Sequence, residues 1–192
     1  MGGVNPLDIE KRQIEEAKKD PEKFLPLYDK YAEQIYRYIA RRTGNNHDTA
    51  HDILSQTFLD ALSHIKEFTW QGFPFSSWLY KIAHNNVIKY YKKSEKTRYS
   101  PIEEARNVSD INQNIEEKIE SSITQKQVQE MMQKLEEEER EIIRLKFFEG
   151  VSNIEIADIM GLSVTNVGVK VFRVLKKAKT MLPSKHDLKK YA

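Results

Sequence analysis

The sequence predicts an all-α protein made of two small helical domains, residues 1–95 and 114–192, joined by a flexible linker over 96–113. Three observations carry that reading. The chain has seven glycines and six prolines and is rich in Glu, Lys, Gln, Ile and Leu, whose side chains lose little rotamer freedom in a helix. Its apolar residues recur at spacings of three and four, and no strand-like alternation runs long enough to compete. At 39% hydrophobic content, 192 residues suit two small cores better than a single large one.

In the first part, Phe24, Leu27, Tyr28, Tyr31, Ile35, Tyr38 and Ile39 form one helical stripe that ends before the turn "TGNN". Asn46 or Asp48 can cap the next helix, whose stripe is Ala50, Ile53, Leu54, Phe58, Ala61, Leu62 and Ile65. The stretch "KEFTWQGFPFSS" interrupts with Gly72 and Pro74. A third helix then starts near Ser76 or Ser77 and runs through Trp78, Leu79, Ile82, Ala83, Val87, Tyr90 and Tyr91. Periodicity lapses in "SEKTRYSPIEEARNVSDINQ" and returns with Ile111, Ile115, Ile119 and Ile123, followed by Val128, Met131, Met132 and Leu135.

The second part predicts a helix over Glu136 to Glu149, with Ile142, Ile143, Leu145, Phe147 and Phe148, stopped by Gly150. A short helix burying Ile154, Ile156, Ala157 and Met160 follows. Gly161 supplies a residue able to take a positive φ where two helices meet steeply, and Ser163 can cap the helix that comes next. That helix is expected to bury Val164, Val167, Val171, Leu175, Ala178 and Leu182, and to show Thr165, Asn166, Lys170, Arg173, Lys176 and Lys177 on its other side.

The formal net charge is only +2, but Lys170 to Ala192 holds eight basic residues against the single acid Asp187, so charge placement says more than the sum. The absence of cysteine excludes disulfides, thiolate nucleophiles and thiolate metal sites, and fits a reducing cytoplasm. The N-terminal stretch lacks the apolar region of a secretion signal, and no window approaches the roughly 18 apolar residues of a membrane helix. A soluble, cytoplasmic chain without membrane insertion is expected.

Two constellations carry chemistry. Two helices joined at Gly161, the second polar at its start and basic further along, read as a helix-turn-helix, with Thr165 and Asn166 near base edges and Lys170, Arg173, Lys176 and Lys177 near phosphates. In "EFTWQGFPFSSWLYKIAHNNVIKYYKK", Phe68, Trp70, Phe73, Phe75 and Trp78 precede Asn85, Asn86, Lys89, Lys92 and Lys93. Aromatic faces that stack unpaired bases, beside lysines that follow the backbone, suit single-stranded nucleic acid, although most of these rings can also serve a core. The enzyme motifs fail. "HDTAH" sets His47 and His51 at i and i+4 but has Asp where metalloproteases use Glu and no evident third ligand, so it reads as a helix start with exposed histidines. No phosphate loop and no Ser, His and Asp grouping stands out. Neither catalysis nor a cofactor or metal is expected.

In this order, "FLPLYDKYAEQIYRYI", "AHDILSQTFLDAL", "FPFSSWLYKIAHNNVIKYYKK" and "LEEEEREIIRLKFFEGVSNIEIADIMGLSVTNVGVKVFRVLKKAK" resemble regions 2 and 4 of a bacterial RNA polymerase sigma factor of the extracytoplasmic-function branch. The resemblance implies a transcription initiation factor. Its partners would be core RNA polymerase, through the clamp helices of the largest subunit and the flap, and promoter DNA, both duplex and single-stranded. An anti-sigma protein would be an allowed further partner. It implies core-polymerase contacts at Asp52, Gln56 and Phe58. Contacts to the minus-10 element fall at Phe68, Trp70, Gln71, Phe73, Asn85, Lys89, Lys92 and Lys93, and contacts to the minus-35 element at Ser163, Thr165, Asn166, Lys170, Arg173, Lys176 and Lys177. The chain departs from the family's usual residues at Ser55 and Gln56, at Lys89, and at Gly168 and Val169. The chief alternative is a helix-turn-helix regulator that binds duplex sites without polymerase.

Overall fold

A computed structural model describes residues 5–97 and 128–181, the side chains of 94–97 and of Met181 excepted. Residues 96 and 97, expected to begin the linker, instead continue the helix Phe75–Thr97; the rest of the expected linker, the Ile111 to Ile123 periodicity and Leu182 lie outside the described residues. The chain divides into two compact units, Met1–Val108 and Ser109–Ala192, and every described element is helical or turn.

Unit 1 opens with a helix absent from the sequence expectations, α1 (Pro6–Lys19), which Asn5 caps by accepting from Leu7 N–H and which Pro6 starts. After a short 3-10 turn, Pro21–Phe24, come α2 (Leu25–Arg42), α3 (His47–His64), the 3-10 turn Ile65–Glu67 and α4 (Phe75–Thr97). Asn46, rather than Asp48, is the cap of α3, accepting from Thr49 N–H at 3.0 Å. α4 begins at Phe75, a residue before the serines.

The core of this unit is aromatic. Phe24, Tyr31, Tyr38, Phe58, Phe75 and Tyr80 are all buried, and Phe24 meets Phe58 and Phe75 edge-on at 6.3 and 6.4 Å between ring centres. At its centre is a carboxylate. Glu10 is 1% exposed and accepts from the Phe75 backbone N–H at 2.7 Å, from Lys30 Nζ at 2.6 Å and from the Tyr31 hydroxyl. Burial first, and then the Glu10 hydrogen bond, push the Tyr31 phenol far above its ordinary range, so it stays a donor. One charged side chain thus ties α1 to α2 and to the first turn of α4, satisfying an amide that helix starts leave orphaned.

Unit 2 contains α5 (128–133), α6 (Glu137–Ile143), the π-helical turn Arg144–Phe148, α7 (Asn153–Met160) and α8 (Val164–Met181). Its core is aliphatic, including Leu135, Ile142, Leu145, Ile156, Val167 and Val174. Arg140 meets Glu137 at 3.2 Å and donates to the carbonyls of Met132 and Leu135 at 3.0 and 3.1 Å, capping the end of α5. The π turn ends as Glu149 N–H donates to the Arg144 carbonyl five residues back. On this wider turn Phe147 and Phe148 are both about half exposed.

Candidate nucleic-acid interface

In unit 2 the turn between α7 and α8 is fixed by local chemistry. Ser152 and Glu155 form a reciprocal capping box at the start of α7. Gly161 ends the helix at φ +67, where a side chain would be strained. Ser163 then accepts from Asn166 N–H at 3.2 Å to start α8. These are the parts of a helix-turn-helix.

α8 is rotated relative to the face assigned from sequence. Val167 and Val174 are fully buried, with Val171 and Ala178 partly so, whereas Val164 and Leu175 are exposed; likewise α7 buries Ile159 rather than Ile154. The reason is periodicity: residues 167, 171, 174 and 178 share one stripe, and with so many valines the sequence admits a second stripe nearby. Among the expected contacts, Ser163, Thr165, Asn166, Arg173, Lys176 and Lys177 are exposed, and Lys170 is partly buried. Lys170 and Lys177 turn toward α6, where they meet Glu138 at 3.1 Å and Glu139 at 2.8 Å. The Lys177 hydrogen bond holds the Glu139 carboxyl below its ordinary value. These two lysines are therefore engaged inside unit 2, which the sequence does not reveal because the acids lie about 30 or more residues away.

In unit 1 the loop between α3 and α4 and the face of α4 form a second surface. Phe75 is fully buried, while Phe68, Trp70, Phe73 and Trp78 are half-buried and Gln71 is exposed. Gly72, at φ +85, lets the loop reverse. Phe68 lies 4.9 Å from Trp78 and 5.4 Å from Phe75 between ring centres. A cleft of about 300 Å³ opens here, lined by His64, Glu67, Phe68, Trp78 and Ile82. His64 and Glu67 were not expected at this site, since nothing marks a loop-end histidine or glutamate as facing rings. Trp78, Ile82, Asn85, Lys89 and Lys92 recur at i, i+4, i+7, i+11 and i+14, so one stripe of α4 runs from the cleft into exposed polar and basic positions. Lys93 is exposed beside it. Asn86 is instead buried and donates to Asp60 at 2.9 Å.

The third expected surface needs one correction. Phe58 is 5% exposed and stacks edge-on against Tyr28 at 4.7 Å; it is a core residue and offers nothing to a partner. Asp52 and Gln56 are exposed on α3, Gln56 donating to Asp60 at 2.7 Å. Leu59, 61% exposed, shares their stripe. His47 accepts or donates at 2.6 Å with the Tyr36 hydroxyl, and the Tyr36 ring lies 4.7 Å from that of His51. Among the described residues no group of three or more metal-ligating side chains gathers, and no helix is long and apolar enough to cross a membrane.

A helix-turn-helix unit paired with an aromatic-cleft helical bundle defines an all-α protein built to meet nucleic acid. The model of sigma-70 region 2 matches residues 27–97 and that of sigma-70 region 4 matches residues 125–177. Over 85% of the chain and 91% of the relative, it is 30% identical to the ECF RNA polymerase sigma factor SigW of Bacillus subtilis. It is 31% identical to the ECF RNA polymerase sigma factor BldN of Streptomyces coelicolor over 91% of the chain, which spans 64% of that relative's length. It is 27% identical to the RNA polymerase sigma factor YlaC of Bacillus subtilis, over 84% of the chain and 93% of the relative. A similar fold is seen in the structure of CnrH in complex with the cytosolic domain of CnrY, with a TM-score of 0.63 and 21% identity over 90% of this chain and 96% of that one. The chain belongs to the sigma-70 family, in its extracytoplasmic-function branch.

Proposed function

We propose that this chain is a cytoplasmic, non-enzymatic initiation factor that binds core RNA polymerase and directs it to promoters, reading a minus-10 element with unit 1 and a minus-35 element with unit 2. The observation that carries the reading is the aromatic cleft continuing along α4 into Asn85, Lys89 and Lys92. A base extruded from the duplex can stack against Phe68 or Trp78, while the α4 cations and Lys93 follow its strand. Trp70, Gln71 and Phe73 lie on the loop beside it. Capture of the base offsets an unstacking cost of a few kcal/mol, so opening needs no hydrolysis.

On α8, Ser163 fixes the helix start, Thr165 and Asn166 face base edges, and Arg173 and Lys176 face phosphates. Lys170 and Lys177 hold α8 against α6 and reach phosphate only by leaving their glutamates. Asp52 and Gln56, joined by Leu59, form the surface for the polymerase clamp. An anti-sigma protein is proposed as a further partner, competing with polymerase for such surfaces.

The test is transcription from a promoter library with purified core polymerase, where adding the chain selects start sites; no selection would sink the reading, and failure to co-purify with core polymerase would favour a free-standing regulator. Trp70→Ala should impair strand opening, read by permanganate reactivity, more than closed-complex formation. Lys176→Ala should reduce the log-log salt slope of minus-35 binding by about one, and Lys177→Ala by much less.

A further inference from the structure

Thr165, Val169, Phe172 and Lys176 recur at i, i+4, i+7 and i+11, so they share one stripe of α8, opposite the fully buried Val167 and Val174. The centre of that stripe is apolar. Phe172 is 68% exposed, the highest value among the exposed large hydrophobic residues described, and Val169 is 42% exposed. Neither is the by-product of a crowded core, because the unit's aliphatic core closes on the other side of the helix. The nearest cations divide into two groups. Lys170 and Lys177 lean away toward Glu138 and Glu139, while Arg173, Lys176 and Lys179 are exposed. α8 contains no acidic residue.

An uncharged centre with cationic margins fits a particular surface. In the major groove the one apolar feature that a base edge presents is the C5 methyl of thymine, and phosphates line the rims. Val169 and Phe172 are separated by about 4.5 Å along the helix axis, close to the roughly 3.4 Å between successive base pairs. Side chains at that spacing can meet methyl groups on neighbouring pairs.

We propose that Val169 and Phe172 form a thymine-methyl reader on α8, so that the minus-35 element carries one or two adjacent A·T pairs whose methyl groups are recognised by contact and not by hydrogen bonding. This inference rests on the assignment of α8 to the minus-35 element and adds the chemical class of base that it selects.

The experiment uses the full chain and duplexes enriched from a randomised pool, in which each thymine of the selected element is replaced singly by uracil, a change that removes only the methyl. At one or two adjacent positions the affinity of the wild-type chain should fall about fourfold, the effect of withdrawing one methyl-sized apolar group. The Val169→Ser, Phe172→Ser double variant, checked by thermal melting, should lose that sensitivity while keeping its salt dependence. If uracil at every position leaves affinity unchanged on a well-bound site, methyl reading is overturned and minus-35 recognition stands. If no duplex is enriched at all, both fall. If the double variant retains uracil sensitivity but loses core polymerase or another protein, the apolar pair is a protein-docking surface and the proposal is wrong.

Discussion

Unit 1 surrounds its cleft with rings anchored in a continuous aromatic core, whereas unit 2 presents α8 from a core of short aliphatic side chains in which none of the described aromatic residues is buried. Their polar fastenings differ in the same sense. In unit 1 a single buried carboxylate, Glu10, joins three elements. In unit 2 the fastenings are distributed over the surface: the capping box at Ser152, the Arg140 cap on α5, and the pairs that join α6 to α8. The contrast teaches how each surface is held. A cleft whose rings, Phe68 and Trp78, lean on one another and on Phe75 needs a frame that does not collapse, which large interlocked side chains provide. A helix that enters a groove needs correct orientation, which caps and ion pairs supply at small energies each.

Breaking the central fastening of unit 1 should have the largest effect. Glu10→Ala leaves the Phe75 amide and the Tyr31 hydroxyl without their acceptor and should cost about 3 kcal/mol. Urea unfolding followed by tryptophan fluorescence reports it, since Trp70 and Trp78 both lie in unit 1. An unchanged midpoint would show that the carboxylate is not the anchor.

The distributed fastenings of unit 2 should yield less one at a time. Ser152→Ala removes the acceptor for Glu155 N–H and should cost about 1 kcal/mol, seen as a lower melting temperature by circular dichroism. A loss as large as that of Glu10→Ala would erase the contrast. Gly168→Ala should move the other way. An added Cβ would meet only Asn153 Nδ2, at 4.0 Å, so replacing a helical glycine should stabilise α8 by about 0.5 to 1 kcal/mol; a lower melting temperature would reveal a packing constraint.

The smallest effects near neutral pH should separate the units by the direction in which they are lost. Tyr31 has its folded-state pKa raised, so its contribution is complete below its ordinary value of 10.0 and is lost as pH rises above it. Glu139 has its pKa lowered by Lys177, so its contribution is present above its ordinary value of 4.5 and is lost as pH falls through the depressed value. Denaturation at alkaline pH should be steepened by Tyr31 relative to Tyr31→Phe, and at acid pH by Glu139 relative to Glu139→Gln. No difference between variant and parent in either range would remove that residue's share.

The elements that could be read directly were those whose signal is local. The glycine turn, the Ser163 cap and the aliphatic period of α7 and α8 lie within about 30 residues, and so do the rings that line the cleft. α1 was missed because its buried face includes Glu10: charged residues are almost never fully buried unless paired, and its partners lie 20 to 65 residues further on. The Asn5 and Pro6 start signal and the sparse apolar positions Ile14 and Ala17 were the clues available. Phe58 was assigned to a docking surface by the family resemblance, although its place in the apolar stripe from Ala50 to Ile65 already put it on the buried side of α3. The pairing of Lys170 and Lys177 with Glu138 and Glu139 was missed because the acids lie on a different helix, far along the chain.

The sequence by itself determined the helical class, the order of the helices from α2 through α4 and from α6 through α8, the helix-turn-helix and the resemblance to sigma regions 2 and 4, because caps, glycine turns and apolar spacing act between residues close along the chain. Only the tertiary structure decided which way α8 faces, that Glu10 is interior, that Glu138 and Glu139 pair with two lysines of α8, and that Phe172 stands in the open. Those outcomes depend on contacts between distant segments, where a rotation of a few tens of degrees about a helix axis exchanges a buried side chain for an exposed one.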